Sequence, residues 1–199
     1  LSSFIKTEPA PDSYGCPMNP TLTQYAVADR RLTEILDGVP ATGWTSPTPC
    51  PGWSAADVVG HLIATQRDFL GTHGVDLGAA PDVALDPAAA WREHARQVGA
   101  AVSDDAVHGR EFDGFFGPTT VGAALEQFYV WDMVVHRWDV ARAVGADAGL
   151  TDEELDRIDA GADSFGPALY MDGICQPAVA VPDDADRGTR VLARLGRSA

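Results

Sequence analysis

Asp132 and His136 stand four residues apart in the segment WDMVVHRWD, so on a helix their side chains project from one face about a turn apart. That spacing suits two ligands of one metal ion, and it equally suits an ordinary helix-stabilising pair. The neighbours weigh on the choice. Phe128, Tyr129, Trp131, Met133, Val134, Val135 and Trp138 leave little polar surface around them, and a buried carboxylate or imidazole is costly unless paired or bound to a metal. His61, in a separate amphipathic stretch, can complete a set of two imidazoles and one carboxylate. Such a set leaves coordination positions open, as catalytic sites do and closed structural sites do not. A divalent ion held this way lowers the pKa of a bound thiol or water and keeps the anion as a nucleophile near neutral pH.

Other residues carry chemistry less distinctly. Asp139 can orient a ring nitrogen of His136 or pair with Arg142 on the helix surface, and both readings stay open. Arg137 and Arg142 are candidate anion hooks, with surface ion pairs as the simpler role for each. Cys50, within TPCPGW, reads as a small packed residue in a tight loop because no partnered base is evident, and Trp53 as a staple against the next helix. The run FDGFFGP offers Phe115 and Phe116 either as a pocket wall or lid or as a plug at the end of a bundle. His73, His94 and His108 fall in or near loops and exposed faces.

The elements that must position these groups are helical. Apolar residues recur at helical spacing from Thr21 to Leu36, before a stop at Gly38 and Pro40. Ser54 with Asp57 resembles a capping box opening a second helix that bears His61 and ends near Gly71. Pro87 opens a third helix, and residues 103–118 read as a Gly- and Asp-rich connection. Thr119 or Thr120 caps a fourth helix running to about Val144, stopped by Gly145, and Thr151 with Glu154 caps a fifth that frays near Gly166. A short extended run, Ala178 to Val181, and a helix from about Ala185 to Leu195 close the chain. The expected class is all-α: a four-helix bundle over residues 21–169, preceded by a flexible or expression-derived leader (1–20, with Met18 as a start) and followed by a tail (170–199).

Composition narrows the partners. Fourteen Lys plus Arg against 29 Asp plus Glu give the 199-residue chain a formal charge of −15, which repels phosphate backbones and anionic membrane surfaces. Cys16, Cys50 and Cys175 are widely spaced and form no CxxC, so neither a disulfide framework nor a thiolate zinc knuckle is expected. With no apolar run of roughly 18 to 20 residues and no signal-like start, the chain reads as cytoplasmic, binding neither nucleic acid nor membrane, as a monomer or homodimer.

The segments TPCPGWSAADVVGHL (48–62) and WDMVVHRWDVARAVG (131–145) resemble the mycothiol-dependent maleylpyruvate isomerase family, within the actinobacterial DinB/YfiT-like metalloenzyme superfamily. The likeness extends from about Thr21 to Leu195 and includes the closing segment VPDDADRGTRVLARLGR. It implies a DinB-like four-helix bundle holding a divalent metal, commonly zinc with nickel as an alternative, on His61, Asp132 and His136. The isomerase has Glu where this chain has Asp132, and a C-terminal domain where this chain has a tail. The implied activity is isomerisation or S-transfer on a small-molecule electrophile with mycothiol as cosubstrate. Two alternatives are a specialised-metabolism enzyme that does not use mycothiol, and a non-catalytic metal- or ligand-binding module of stress response.

Overall fold

The computed structural model describes residues 19–198. Most of the expected leader, residues 1–18, therefore lies outside the described residues. Its last two positions belong to the bundle: the Asn19 side chain accepts the Leu22 N–H at 2.6 Å and donates to the Val102 carbonyl at 3.0 Å, and Pro20 opens α1 (Pro20–Asp37). Helix α2 (Ala55–Thr72) starts from a full capping box of Ser54 and Asp57. Helix α3 (Pro87–Val102) starts from Asp86, whose carboxylate accepts the Ala89 N–H.

Four helices form the bundle, with α1 and α2 each packed against α3 and against α6 (Trp131–Val144). The core between them is built from Leu32, Leu62, Trp91, Val98, Met133 and Val140, all fully buried. Each such side chain contributes on the order of 1.5 to 3 kcal/mol by leaving water. The all-α class and the DinB-like bundle follow from this packing.

The connection over 103–118 is more ordered than its composition suggests. It holds a short helix α4 (Asp105–His108) and a hairpin of β1 (Glu111–Gly114) and β2 (Gly117–Thr120), with Glu111 opposite Thr120 and Gly114 opposite Gly117. Four-residue strands are too short to show an alternating pattern, and the turn depends on Gly117 at φ +110°, a conformation open mainly to glycine. Thr120 then caps α5 (Val121–Ala124), which runs through a π-helical segment, Leu125–Val130, into α6 and ends at Gly145 in the left-handed conformation. The expected single helix is thus continuous in path but changes register within it.

Helix α7 (Asp152–Phe165) begins with the Thr151 and Glu154 capping box and packs on α6. The Trp131 indole donates to the Ile158 carbonyl at 3.1 Å, lying against Gly161. A final helix α8 (Arg187–Arg194) packs on α7. The expected extended run at 178–181 forms no strand; the Val179 N–H bonds the Ala193 carbonyl instead. No helix among the described residues is long and apolar enough to cross a membrane.

Candidate metal centre

Helices α2 and α6 bring His61, Asp132 and His136 to one point. His61 Nε2 lies 3.2 Å from one Asp132 oxygen and His136 Nε2 lies 3.3 Å from the other, and one donor atom from each residue falls within 4.8 Å of the others. His61 and Asp132 are half-buried and His136 is buried. The i, i+4 spacing on α6 puts the latter two on one face, and α2 supplies the third from across the bundle.

Behind them lies a line of support. Asp139 is fully buried, and its Oδ2 receives His136 Nδ1 at 2.8 Å. Arg197, from just beyond α8, donates to Asp139 through Nε at 2.9 and 3.2 Å and through a terminal nitrogen at 2.8 Å. The Cys50 thiol donates to the same carboxylate at 3.4 Å and sits 4.0 Å from His136 Nδ1.

The charges follow from this geometry. Burial alone would raise Asp132, but His136 and His61 hold its carboxyl below the usual carboxylate range. Burial alone would lower His136, but Asp132, Asp139 and Cys50 keep its proton well above the ordinary imidazole value. Asp139 is held down against its burial by His136 and Arg197. Tyr129, pushed up to about 12 by burial and by the charges of Asp132 and Asp68, stays a neutral phenol beside the site.

His61, Asp132, His136 and Tyr129 line a cavity of about 660 Å³. Its walls are Trp53, Phe128, Tyr129, Trp131 and Phe165, and residues 170–177 form its outer edge. The Trp53 ring packs on His61 at 4.7 Å and on His136 at 6.0 Å, so it serves the cavity as well as the helix start.

A second group of possible ligands, Cys50, His136 and Asp139, lies beside the first. Arg197 already takes both oxygens of that carboxylate, which leaves this group as support for His136.

Several candidates fall elsewhere. Arg142 is exposed in the last turn of α6 and makes no ion pair among the described residues, because Asp139 turns inward to Arg197. Phe115 and Phe116 occupy the two-residue hairpin turn, 78% and 49% exposed, and neither lines the cavity. Phe116 stacks on Phe128 and meets Phe165 edge-on, and those two rings supply the wall in its place. Arg137 is buried rather than on the surface, gripping Glu154 with two bonds of 2.8 Å. His94 is fully buried rather than exposed, with Nε2 on the Gln66 side-chain oxygen at 3.0 Å.

Sequence reasoning missed Arg197, and Cys50 as a contact of Asp139. The closing segment that contains Arg197 was legible as a motif, but nothing local says that its guanidinium reaches α6.

A helical bundle with two imidazoles and a carboxylate turned into an open cavity belongs to the DinB-like class. The chain belongs to the family of the mycothiol maleylpyruvate isomerase N-terminal domain, whose family model matches residues 25–141. Two uncharacterised proteins of Mycobacterium tuberculosis, from strains CDC 1551 and H37Rv, are 29% identical over 145 residues, covering 60% of this chain and 56% of each relative. The chain thus spans little more than half the length of the curated relatives it matches. No solved structure matches it.

Proposed function

We propose that the chain is a divalent-metal-dependent enzyme that activates a low-molecular-weight thiol, mycothiol, for isomerisation or S-transfer on a small electrophile. The observation that carries this reading is the meeting of His61, Asp132 and His136 at the edge of an open cavity. The donor set fits a divalent ion: two imidazole nitrogens and a carboxylate suit zinc, with nickel as an alternative. When bound, the ion would stabilise the thiolate form of its thiol ligand near neutral pH.

The chain's own residues prepare the site. Asp139 accepts from His136 Nδ1 and so directs Nε2 toward the cavity, and Arg197 holds Asp139 in turn. Trp53 covers the two imidazoles on one side, and the aromatic walls receive the electrophile away from water. The family description supports mycothiol as the thiol. The open cavity favours turnover over a closed, purely structural ion. A cytoplasmic setting, where thiols stay reduced, suits the chemistry.

Elemental analysis of the purified protein beside His61→Ala and His136→Ala tests the reading. About one divalent ion per chain is expected in the parent, lost in both variants with helicity retained. A parent that carries no metal and takes up neither zinc nor nickel overturns it. Mycothiol-dependent conversion of small electrophiles by the loaded protein, uncharged ones assayed beside maleylpyruvate-like dicarboxylates, then separates thiol chemistry from hydrolysis.

A further inference from the structure

We propose that the electrophile taken by this cavity is uncharged and carries a flat apolar or aromatic body, so that dicarboxylates are rejected. The proposal rests on the metal-enzyme reading above and names the substrate class of that same site.

Among the described residues lining the cavity, the carboxylates are Asp132 and Asp172 and the one guanidinium is Arg197. That guanidinium is committed. Its Nε and one terminal nitrogen are spent on Asp139, and the other terminal nitrogen donates to the Leu195 carbonyl at 3.1 Å. The imidazoles are committed too, since His136 Nδ1 faces Asp139 while His136 Nε2 and His61 Nε2 converge on Asp132, where they would hold the ion. A carboxylate arm reaching past the ion would leave water with no further cation among these lining residues to meet it, and with the Asp172 carboxylate at the exposed rim. The chain's formal charge of −15 disfavours a highly anionic ligand in the same sense.

The walls point to what is welcome instead. Phe128 and Phe165 meet at 5.5 Å and 64° on one side, with Trp131 5.6 Å from Phe165, and Trp53 covers the other side over His61. Tyr129 adds a ring that is neutral at physiological pH. Tyr170, Met171 and Ile174 carry the apolar lining to the exposed rim. Aromatic faces and edges set at such angles hold a flat ring better than a chain of polar groups.

Three hydroxamates that share one metal-binding group and differ only in the attached arm separate the possibilities, titrated by calorimetry into the zinc-loaded protein. Benzohydroxamate is expected to bind at least about tenfold tighter than acetohydroxamate, because its ring leaves water for the walls. Para-carboxybenzohydroxamate, the same ring with one carboxylate, is expected to bind at least about tenfold weaker than benzohydroxamate. If the carboxylated ring binds as well as the plain one or better, or if the plain ring gains nothing over the methyl group, the proposal fails while the metal site stands. If none of the three binds although zinc is present, no coordination position is open, and the enzyme reading falls together with this one.

Discussion

The Arg197 guanidinium closes on both carboxylate oxygens of Asp139 across 58 residues of sequence, at 2.8 to 3.2 Å, and both side chains are buried. A charge-assisted pair of this kind fixes the carboxylate in place, and the fixed carboxylate fixes the His136 ring through Nδ1. Arg197→Ala is therefore expected to weaken zinc binding by about 10- to 100-fold, measured by competition with a chromophoric chelator. Arg197→Lys should recover part of the loss. Arg194→Ala serves as the control, since Arg194 pairs with Asp159 and Asp163 on α7, and it should lower stability while leaving zinc affinity unchanged. Equal affinity in Arg197→Ala and the parent would show that His136 is held without this pair.

His94 makes stability depend on pH. Burial, helped by the nearby Arg67 charge, pushes its pKa down to about 4, from an ordinary value of 6.5. The folded chain thus keeps the ring neutral where the unfolded chain would protonate it. The stabilisation is present above pH 6.5 and is lost as pH falls from there toward 4, by about 2 kcal/mol between pH 7 and pH 5. Denaturant titrations of the parent and His94→Leu at both pH values should show that much less acid sensitivity in the variant. Parallel losses would assign the acid sensitivity to other groups.

Gly161 gives the Trp131 indole its seat on α7. A Cβ at that position would stand 2.3 Å from Trp131 Nε1 and 2.4 Å from its neighbouring ring carbon, so the ring must move. Gly161→Ala would gain up to about 1 kcal/mol in helix propensity, yet overpacking costs about 1 to 3 kcal/mol and displaces the indole from the Ile158 carbonyl. The expected outcome is a net loss of stability with a shifted tryptophan emission. Unchanged stability and emission would mean that α7 can retreat without cost.

Much of the fold is legible locally. Ser54 with Asp57, Thr151 with Glu154, Thr120 and Gly145 mark helix ends because capping chemistry is satisfied within a few residues. The π-helical segment at 125–130 escapes notice, since a change of helical register leaves no mark in a run that is apolar on most faces. The hairpin escapes because its strands are four residues each.

The candidate site divides in the same way. Asp132 and His136 share a face by spacing alone, and His61 joins them by its chemistry and by resemblance. By itself the sequence determined the helices, the acidic field and the types of donor available. Tertiary structure alone decided that Asp139 turns to Arg197 and not Arg142, that Phe128 and Phe165 line the cavity and not Phe115 and Phe116, and that Cys50 meets Asp139. The physical reason is that a cap or an i, i+4 pair is set by backbone geometry over one turn. The partner of a buried charge is set by whichever distant segment packs close enough to satisfy it.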